Sequence, residues 1–163
     1  LYVSNVNEDA IELGNELSSC VDNLALKKNS KSIKISIKIE EELSSFKNKE
    51  EKESLMQSLG IKKSGLDLFI VEGFKLLNLI TYFTSGIKES KAWTIPKGSN
   101  APEAAGKIHS DFQKGFISAE VVNYEDLINA GGNVDAKNMG LIKTEGKEYI
   151  VKDGDVILFR FNV

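Results

Sequence analysis

The 163-residue sequence has few of the residues on which secreted, metal-binding or membrane proteins depend. Its single cysteine, Cys20, cannot form an internal disulfide, and its single histidine, His109, with one nearby carboxylate provides too few ligands for a zinc site. We expect Cys20 to be a small buried residue in a reducing, cytoplasmic compartment. Even the most apolar stretch, from Leu66 to Phe83, is interrupted by charges such as Asp67, so we expect a soluble protein with no membrane partner.

Neither sign of charge is in large excess. The chain has 21 basic and 24 acidic side chains, which give a net charge of -3. This balance excludes a global basic field for nucleic acid, so any RNA contact must be local. The sequence also lacks the phosphate-binding pattern GxxxxGK[S/T] and an aspartate in a magnesium-binding context after a strand. We therefore expect that this chain alone does not hydrolyse a nucleotide.

The stretch from Pro102 to Phe116 predicts the centre of a small sheet-and-helix module. Asn100 can cap a helix in which Glu103 reaches back to the cap nitrogen, and Pro102 fits the first turn. Strands are predicted on both sides of this helix, and the last strand is so apolar that we place it in the middle of the sheet. The predicted strands are Ala92 to Ile95, Phe116 to Val122, Tyr149 to Val151 and Val156 to Phe161, the last two joined as a hairpin by Asp153-Gly154. This arrangement is typical of an α+β, ubiquitin-like β-grasp fold.

Between the second and third of these strands, the sequence predicts little regular structure. Asn123 is expected to cap a short helix that ends at Gly131-Gly132. The following residues, Asn133 to Glu148, are polar and punctuated by glycine, so we predict a mobile loop.

The first half of the sequence predicts an α/β arrangement. A short apolar strand at the N-terminus is followed by helices and by a second strand, in which every other residue is isoleucine. Because the chain begins on a strand-like triplet without methionine, we expect it to be part of a longer protein. The predicted elements are a strand at Leu1 to Ser4, a helix from Asp9 to Asn23, a strand at Ile33 to Ile39, a helix in two pieces from Glu40 to Leu59 with Asn48 and Glu51 as a capping box for the second, a helix from Ser64 to Ile80, and a domain boundary between Thr81 and Ser90.

Two short polar motifs follow the predicted strands of the first half. Asn5-Val6-Asn7-Glu8 lies at a strand end, where open α/β sheets bind ligands. From the residues alone it is either a ligand site or a helix N-cap with a capping-box glutamate. Ser36-Ile37-Lys38 is either a second loop of the same site or a half-exposed part of a strand.

Many short segments in the same order resemble the YchF, or Obg-like ATPase, family of P-loop NTPases. The resemblance is tight over the last half of the chain and looser before it. It implies that residues 1–82 are the C-terminal portion of a P-loop nucleotide-binding domain of the Obg type, and that residues 83–163 are a TGS domain of the β-grasp class. The matching segments are Ala92-Trp93-Thr94-Ile95, Ala101-Pro102, Ala104 to Phe112, Lys114 to Ile117, Tyr124-Glu125-Asp126, Tyr149 to Asp155 and Phe161-Asn162-Val163.

The resemblance also implies a nucleotide site. The Asn-x-x-Glu pattern has Val6 where GTPases have lysine and Glu8 where they have aspartate, which implies a preference for adenine with Asn5 contacting the base through its amide. Ser36 and Ile37 then belong to the second base-side loop, in which Ile37 replaces a small residue. The implied ligand of the intact protein is ATP or GTP with Mg²⁺, ATP being preferred.

A second implied surface belongs to the TGS domain. The resemblance implies an interaction module for the ribosome or RNA, and the candidate residues are Lys107, His109, Asp111 and Lys114. From the residues alone, His109 is either a structural residue at a helix end or a residue that recognises a partner. The lysines Lys97, Lys107 and Lys114 are either simply solvated or form a positive patch near an aromatic ring. The alternative functions are a non-enzymatic β-grasp module that binds RNA or protein and, third, a small-molecule enzyme built on His109.

Overall fold

The computed structural model describes residues 1–86 and 89–162, and the chain divides into two compact units, Leu1–Leu76 and Leu77–Val163. Each unit contains its own sheet. The elements in chain order are β1 (Tyr2–Asn5), α1 (Glu16–Lys27), β2 (Ser32–Ile35), α2 (Ile37–Ser45), α3 (Lys49–Ser58), α4 (Gly65–Leu76), β3 (Leu79–Ser85), β4 (Ser90–Pro96), α5 (Ala101–Ile108), α6 (Ser110–Lys114), β5 (Phe116–Asn123), α7 (Tyr124–Ala130), α8 (Asn133–Asn138), β6 (Lys143–Glu145) and β7 (Asp155–Phe161).

The first unit is built on two parallel strands. β1 and β2 pair in register, with Asn5 opposite Ile35, and α1 makes the crossover that a parallel pair requires. The helix starts at Glu16 because Asn15 and Ser18 form a reciprocal capping box. The predicted start at Asp9 is wrong, since only a short 3-10 turn, Glu8–Ala10, forms there.

The predicted strand from Ile33 to Ile39 is wrong beyond Ile35. The strand β2 stops there, Ser36 takes the N-cap position, and α2 begins at Ile37. Ile39 and Leu43, four residues apart on one helical face, are 1% and 2% exposed. Of the alternating isoleucines, Ile33 and Ile35 therefore belong to the strand β2, and Ile37 and Ile39 belong to the helix α2.

The helices α3 and α4 were predicted, but the end of α4 was not. Asn48 caps α3 as expected, but its side chain accepts the Glu50 backbone N–H at 3.0 Å and the expected capping box with Glu51 does not form. Gly60 follows the helix with φ of +70°. The helix α4 ends at Leu76 instead of Ile80, and β3 begins three residues later. The apolar pattern passes from helix to strand without a break, which is why the prediction ran too far.

The second unit contains a mixed sheet of five strands in the order β4-β3-β7-β5-β6. Its β3 and β7 pair in parallel through Phe83 and Val156, whereas the other neighbouring strands are antiparallel. The last strand therefore lies in the middle of the sheet, as predicted.

The helix α5 packs against this sheet through three alanines. Its predicted capping box is confirmed, because Asn100 and Glu103 exchange two bonds of 2.9 Å. The buried Tyr82 hydroxyl donates to the Ala104 carbonyl at 2.8 Å, and burial raises the pKa of this tyrosine. The core consists of Ile80, Tyr82, Ile95, Ala101, Ala104, Ala105, Phe116, Ala119, Val121, Val151, Ile157 and Phe159.

Two predictions for the second half and one further prediction for the first are wrong. Tyr149 to Val151 forms no hairpin with β7 but bonds to the start of α5, with Val151 donating to the Ser99 carbonyl at 3.0 Å. The predicted loop from Asn133 to Glu148 contains α8 and β6. Cys20, expected to be buried, is exposed.

Candidate functional site

The ends of β1 and β2 bring the two polar motifs of the first unit together. Parallel strands finish at the same edge of a sheet, so Asn5 lies beside the residues that follow Ile35. The backbone N–H of Ile37 donates to Asn5 Oδ1 at 3.1 Å, although the two residues are 32 positions apart. Within residues 1–86 and 89–162, the Asn5 amide NH₂ makes no hydrogen bond, which leaves it as a donor for a ligand.

This contact overturns both local alternatives for the motifs. Asn5 accepts from α2 and not from its own downstream turn, whose N-cap residue is Asn7 and has no side-chain cap bond. The helix-cap interpretation of Asn-x-x-Glu is therefore wrong. The half-exposed-strand interpretation of Ser36-Ile37-Lys38 is wrong as well, because these residues open α2.

The remaining predicted residues of this site differ in exposure. Val6 is 7% exposed and donates its backbone N–H to the Ile35 carbonyl at 2.8 Å, so its side chain lies in the interior. Ser36 is also buried, whereas the Ile37 side chain is 56% exposed. The accessible residues of the candidate site are thus Asn5, Ile37 and Glu8, whereas Val6 and Ser36 are buried.

Glu8 is held by a residue to which the sequence assigned no role. Its Oε1 atom lies 2.7 Å from Nζ of Lys38, and the hydrogen bond to Glu8 raises the pKa of Lys38. The two side chains are 41% and 80% exposed, so the pair lies on the open side of the site. Spacing alone did not reveal this pair, because it joins the turn after β1 to the start of α2.

Glu40 is a second residue that sequence reasoning missed. Its carboxylate accepts the backbone N–H of Gly65 at 2.6 Å and that of Leu66 at 3.2 Å, and so caps the start of α4. Ser64 completes the cap by accepting the Asp67 N–H at 3.1 Å. The helix that begins with the second motif is therefore tied to the last helix of the first unit.

The candidate surface of the second unit lies around the junction of α5 and α6. His109 occupies this junction, and its Nδ1 accepts the Asp111 backbone N–H at 3.2 Å, which fixes the start of α6. The structural role expected of a helix-end histidine is thus observed. Lys107, His109 and Lys114 are exposed, and Asp111 is half-buried.

The aromatic rings expected near the lysines already have protein partners. The Trp93 indole N–H donates to Thr84 Oγ1 at 3.0 Å, and Nζ of Lys91 lies 4.2 Å from the ring centroid. Phe112 stacks on Phe161 with 3.7 Å between the centroids. The cation beside Trp93 is therefore Lys91, not one of the three lysines considered from the sequence.

Within residues 1–86 and 89–162, no group of three or more His, Cys, Asp or Glu side chains is arranged to hold a metal ion. No helix in those ranges is both long enough and apolar enough to cross a membrane.

The chain is similar to proteins from bacteria and from yeast. The family model YchF-GTPase_C, described as a protein of unknown function (DUF933), matches residues 79–162. The "Ribosome-binding ATPase YchF" of Bacillus subtilis (strain 168) is 50% identical over 165 residues, covering 100% of this chain and 45% of that protein. The protein of the same name from Escherichia coli O157:H7 is 48% identical over 163 residues, covering 100% of this chain and 44% of its own length.

A solved structure agrees with the sequence relatives. The YchF GTPase of Schizosaccharomyces pombe superposes with a TM-score of 0.85 at 34% identity, covering 98% of this chain and 43% of the other. The chain thus spans less than half the length of each of these relatives. On this evidence the chain belongs to the YchF family and corresponds to the C-terminal part of its members.

Proposed function

We propose that this chain is the C-terminal part of a ribosome-associated P-loop NTPase that prefers ATP to GTP. The observation that carries the proposal is the contact between Asn5 and Ile37, which assembles two strand-end motifs at one edge of a parallel sheet. In open α/β sheets this edge is where ligands bind. The base-binding residues in the proposal are Asn5, Val6, Glu8, Ser36 and Ile37.

The chemistry of Asn5 suits a purine. Its amide oxygen is engaged by the Ile37 N–H, so the amide NH₂ is the group that faces a ligand as a donor. The N7 atom of a purine is an acceptor and matches this donor. The exposed Ile37 side chain supplies apolar surface beside the base, and the buried Val6 supports the site from below.

The first unit has the properties of a portion of a larger α/β domain. Its sheet has only two parallel strands, and parallel sheets are normally covered on both faces. Several large apolar side chains are exposed, including Leu17 at 78% and Leu26 at 75%. In the proposal, the first unit is the base-binding end of the nucleotide domain, with its boundary at Leu76 instead of residue 82.

The phosphates and Mg²⁺ of the nucleotide require parts for which this sequence has no recognised pattern. In P-loop NTPases a glycine-rich loop holds the phosphates and Mg²⁺ neutralises the developing charge. The residues of this chain hold and orient the base, and we assign the phosphate-binding half to other residues of the full-length protein. This chain by itself is therefore not expected to hydrolyse ATP.

The second unit is proposed to be a TGS domain with a β-grasp fold. A mixed sheet with a long central last strand and one helix, α5, packed across it supports this assignment. Its proposed interaction surface consists of Lys107, His109, Asp111 and Lys114. The two bacterial relatives are named ribosome-binding ATPases, which supports a ribosomal or RNA partner and a cytoplasmic location.

Sedimentation of the full-length protein with ribosomes tests this function. We expect the fraction that pellets with ribosomes to change when ATP is added, and to fall in a Lys107→Ala/Lys114→Ala variant. A matched control replaces two other exposed lysines, Lys137 and Lys147. Sedimentation that is independent of ATP, with no ATP binding, would favour the non-enzymatic binding module instead.

A further inference from the structure

The ion pair between Glu8 and Lys38 bears directly on base selection. In the proposed site, Glu8 stands in place of the GTPase aspartate, a carboxylate that can accept the two neighbouring donors of guanine, N1–H and the N2 amino group. In this protein the carboxylate is already engaged, because Lys38 Nζ lies 2.7 Å from its Oε1 atom. The ammonium group neutralises the charge of this carboxylate and takes a lone-pair site on Oε1, so it competes with the two donors of guanine for the acceptor.

Adenine places no such demand on Glu8. Its corresponding edge has an acceptor at N1 and no amino group at C2, so the ion pair remains intact when adenine binds. The ion pair therefore weakens the binding of guanine and leaves the binding of adenine unaffected.

The position of Lys38 follows from the start of α2. Ile37, whose N–H is bonded to Asn5, is the first residue of this helix, and Lys38 is the second. The Asn5 contact thus fixes the backbone from which Lys38 reaches Glu8. Both partners are accessible to a ligand, since their side chains are 80% and 41% exposed.

We propose that Lys38 is a specificity-determining residue, which selects against guanine by occupying the Glu8 carboxylate. This inference rests on the proposed function, because it requires that a purine binds beside Asn5. Lys38 acts through Glu8 and is a positioning residue, so its removal changes the ratio of the two nucleotide affinities more than the affinity for ATP.

Calorimetric titration of the full-length protein with ATP and with GTP tests the inference. In a Lys38→Met variant we expect GTP affinity to rise about two- to fivefold, the range typical of an exposed ion pair, with ATP affinity nearly unchanged. Lys38→Arg keeps the charge and should keep the wild-type ratio. The control Lys31→Met removes a pair of the same kind, Lys31 with Glu72 at 2.8 Å, and should leave the ratio unchanged.

Two further measurements separate this role from a merely structural one. In a Glu8→Gln background, Lys38→Met should have no further effect on the ratio, because the carboxylate is gone. Raising the salt concentration from about 0.05 M to about 0.5 M should narrow the ATP/GTP ratio of the wild type but not that of Lys38→Met.

An unchanged ATP/GTP ratio in Lys38→Met, in a protein that binds ATP, would overturn the inference and leave the proposed function standing. A wild-type protein that binds neither nucleotide would contradict the proposed function, and the inference with it.

Discussion

Asn5 Oδ1 accepts the Ile37 backbone N–H at 3.1 Å, and this bond joins the end of β1 to the start of α2. The first consequence concerns ligand binding. Replacing Asn5 by aspartate keeps the oxygen that Ile37 needs but removes the amide donor and adds a charge. Asn5→Asp and Asn5→Ala should each lower ATP affinity about tenfold or more, while Asn5→Asp preserves the fold.

Calorimetry gives the affinities for this comparison, and circular dichroism monitors the fold. Asn48→Ala is the matched control, because Asn48 caps α3 through the same kind of bond. If ATP binds Asn5→Asp as tightly as the wild type, Asn5 does not contact the base.

Glu40 should stabilise the first unit by capping α4. Replacing it by alanine leaves the Gly65 and Leu66 N–H groups without their acceptor and should lower the free energy of unfolding by about 1–2 kcal/mol. Glu40→Gln retains an acceptor and should cost less. Urea unfolding measures the difference, with the exposed neighbour Glu41→Ala as control; equal stabilities of the Glu40 and Glu41 variants would exclude the cap.

Glu72 should make the stability of the first unit depend on pH in the acid range. Hydrogen bonds from Lys31 and Lys75 lower the pKa of Glu72 from 4.5 to about 2. The folded chain therefore binds fewer protons than the unfolded chain, and the stabilisation is complete above pH 4.5 and lost as the pH falls toward 2. Glu72→Gln should lower the melting temperature at neutral pH and flatten its dependence on pH in this window.

The comparison for Glu72 is Glu50→Gln, because Glu50 makes no ion pair within residues 1–86 and 89–162. Melting curves recorded by circular dichroism across the acid range give both profiles. Parallel profiles for Glu72→Gln and the wild type would show that the lysines do not perturb Glu72.

Gly115 should tolerate no side chain, for reasons of space and not of backbone angle. A Cβ atom at this position would overlap the backbone carbonyl oxygen of Asn162. The two residues are held close together because the Asn162 backbone N–H donates to the Gly115 carbonyl at 2.9 Å. Gly115→Ala should lower the free energy of unfolding by about 1–3 kcal/mol. Gly146→Ala, where a Cβ atom meets nothing within 4 Å, is the control, and equal stabilities would contradict the predicted overlap.

The sequence predicted the second unit better than the first. The helices of the second unit begin at capping residues that can be recognised from neighbouring positions in the sequence. Asn100 and Glu103 form a capping box that depends only on residues three apart, and Asn123 caps α7 through the Glu125 N–H. Such signals do not require knowledge of the rest of the fold. The place of the last strand followed from its apolar composition alone.

The errors arose where one residue pattern serves two structures. Isoleucines at alternate positions continue past Ser36 into α2, so periodicity could not show where the strand ends. The apolar run of α4 likewise continues into β3. The pairing of Tyr149 to Val151 with the start of α5 depends on tertiary contacts, which no local pattern encodes.

The candidate site was predictable in part. The family resemblance indicated Asn5, Glu8 and Ser36, and the structure brings their two motifs to one edge. The roles of Lys38 and Glu40 were not predictable, since each is defined by a partner 25 or more residues away in the sequence.

Parallel titrations of the wild-type, full-length protein with ATP and GTP test the central claim, a purine site with adenine preference at the ends of β1 and β2. We expect the wild type to bind ATP more tightly than GTP, and Asn5→Asp to bind both nucleotides more weakly. Equal affinities for ATP and GTP, or tighter binding of GTP, would contradict it.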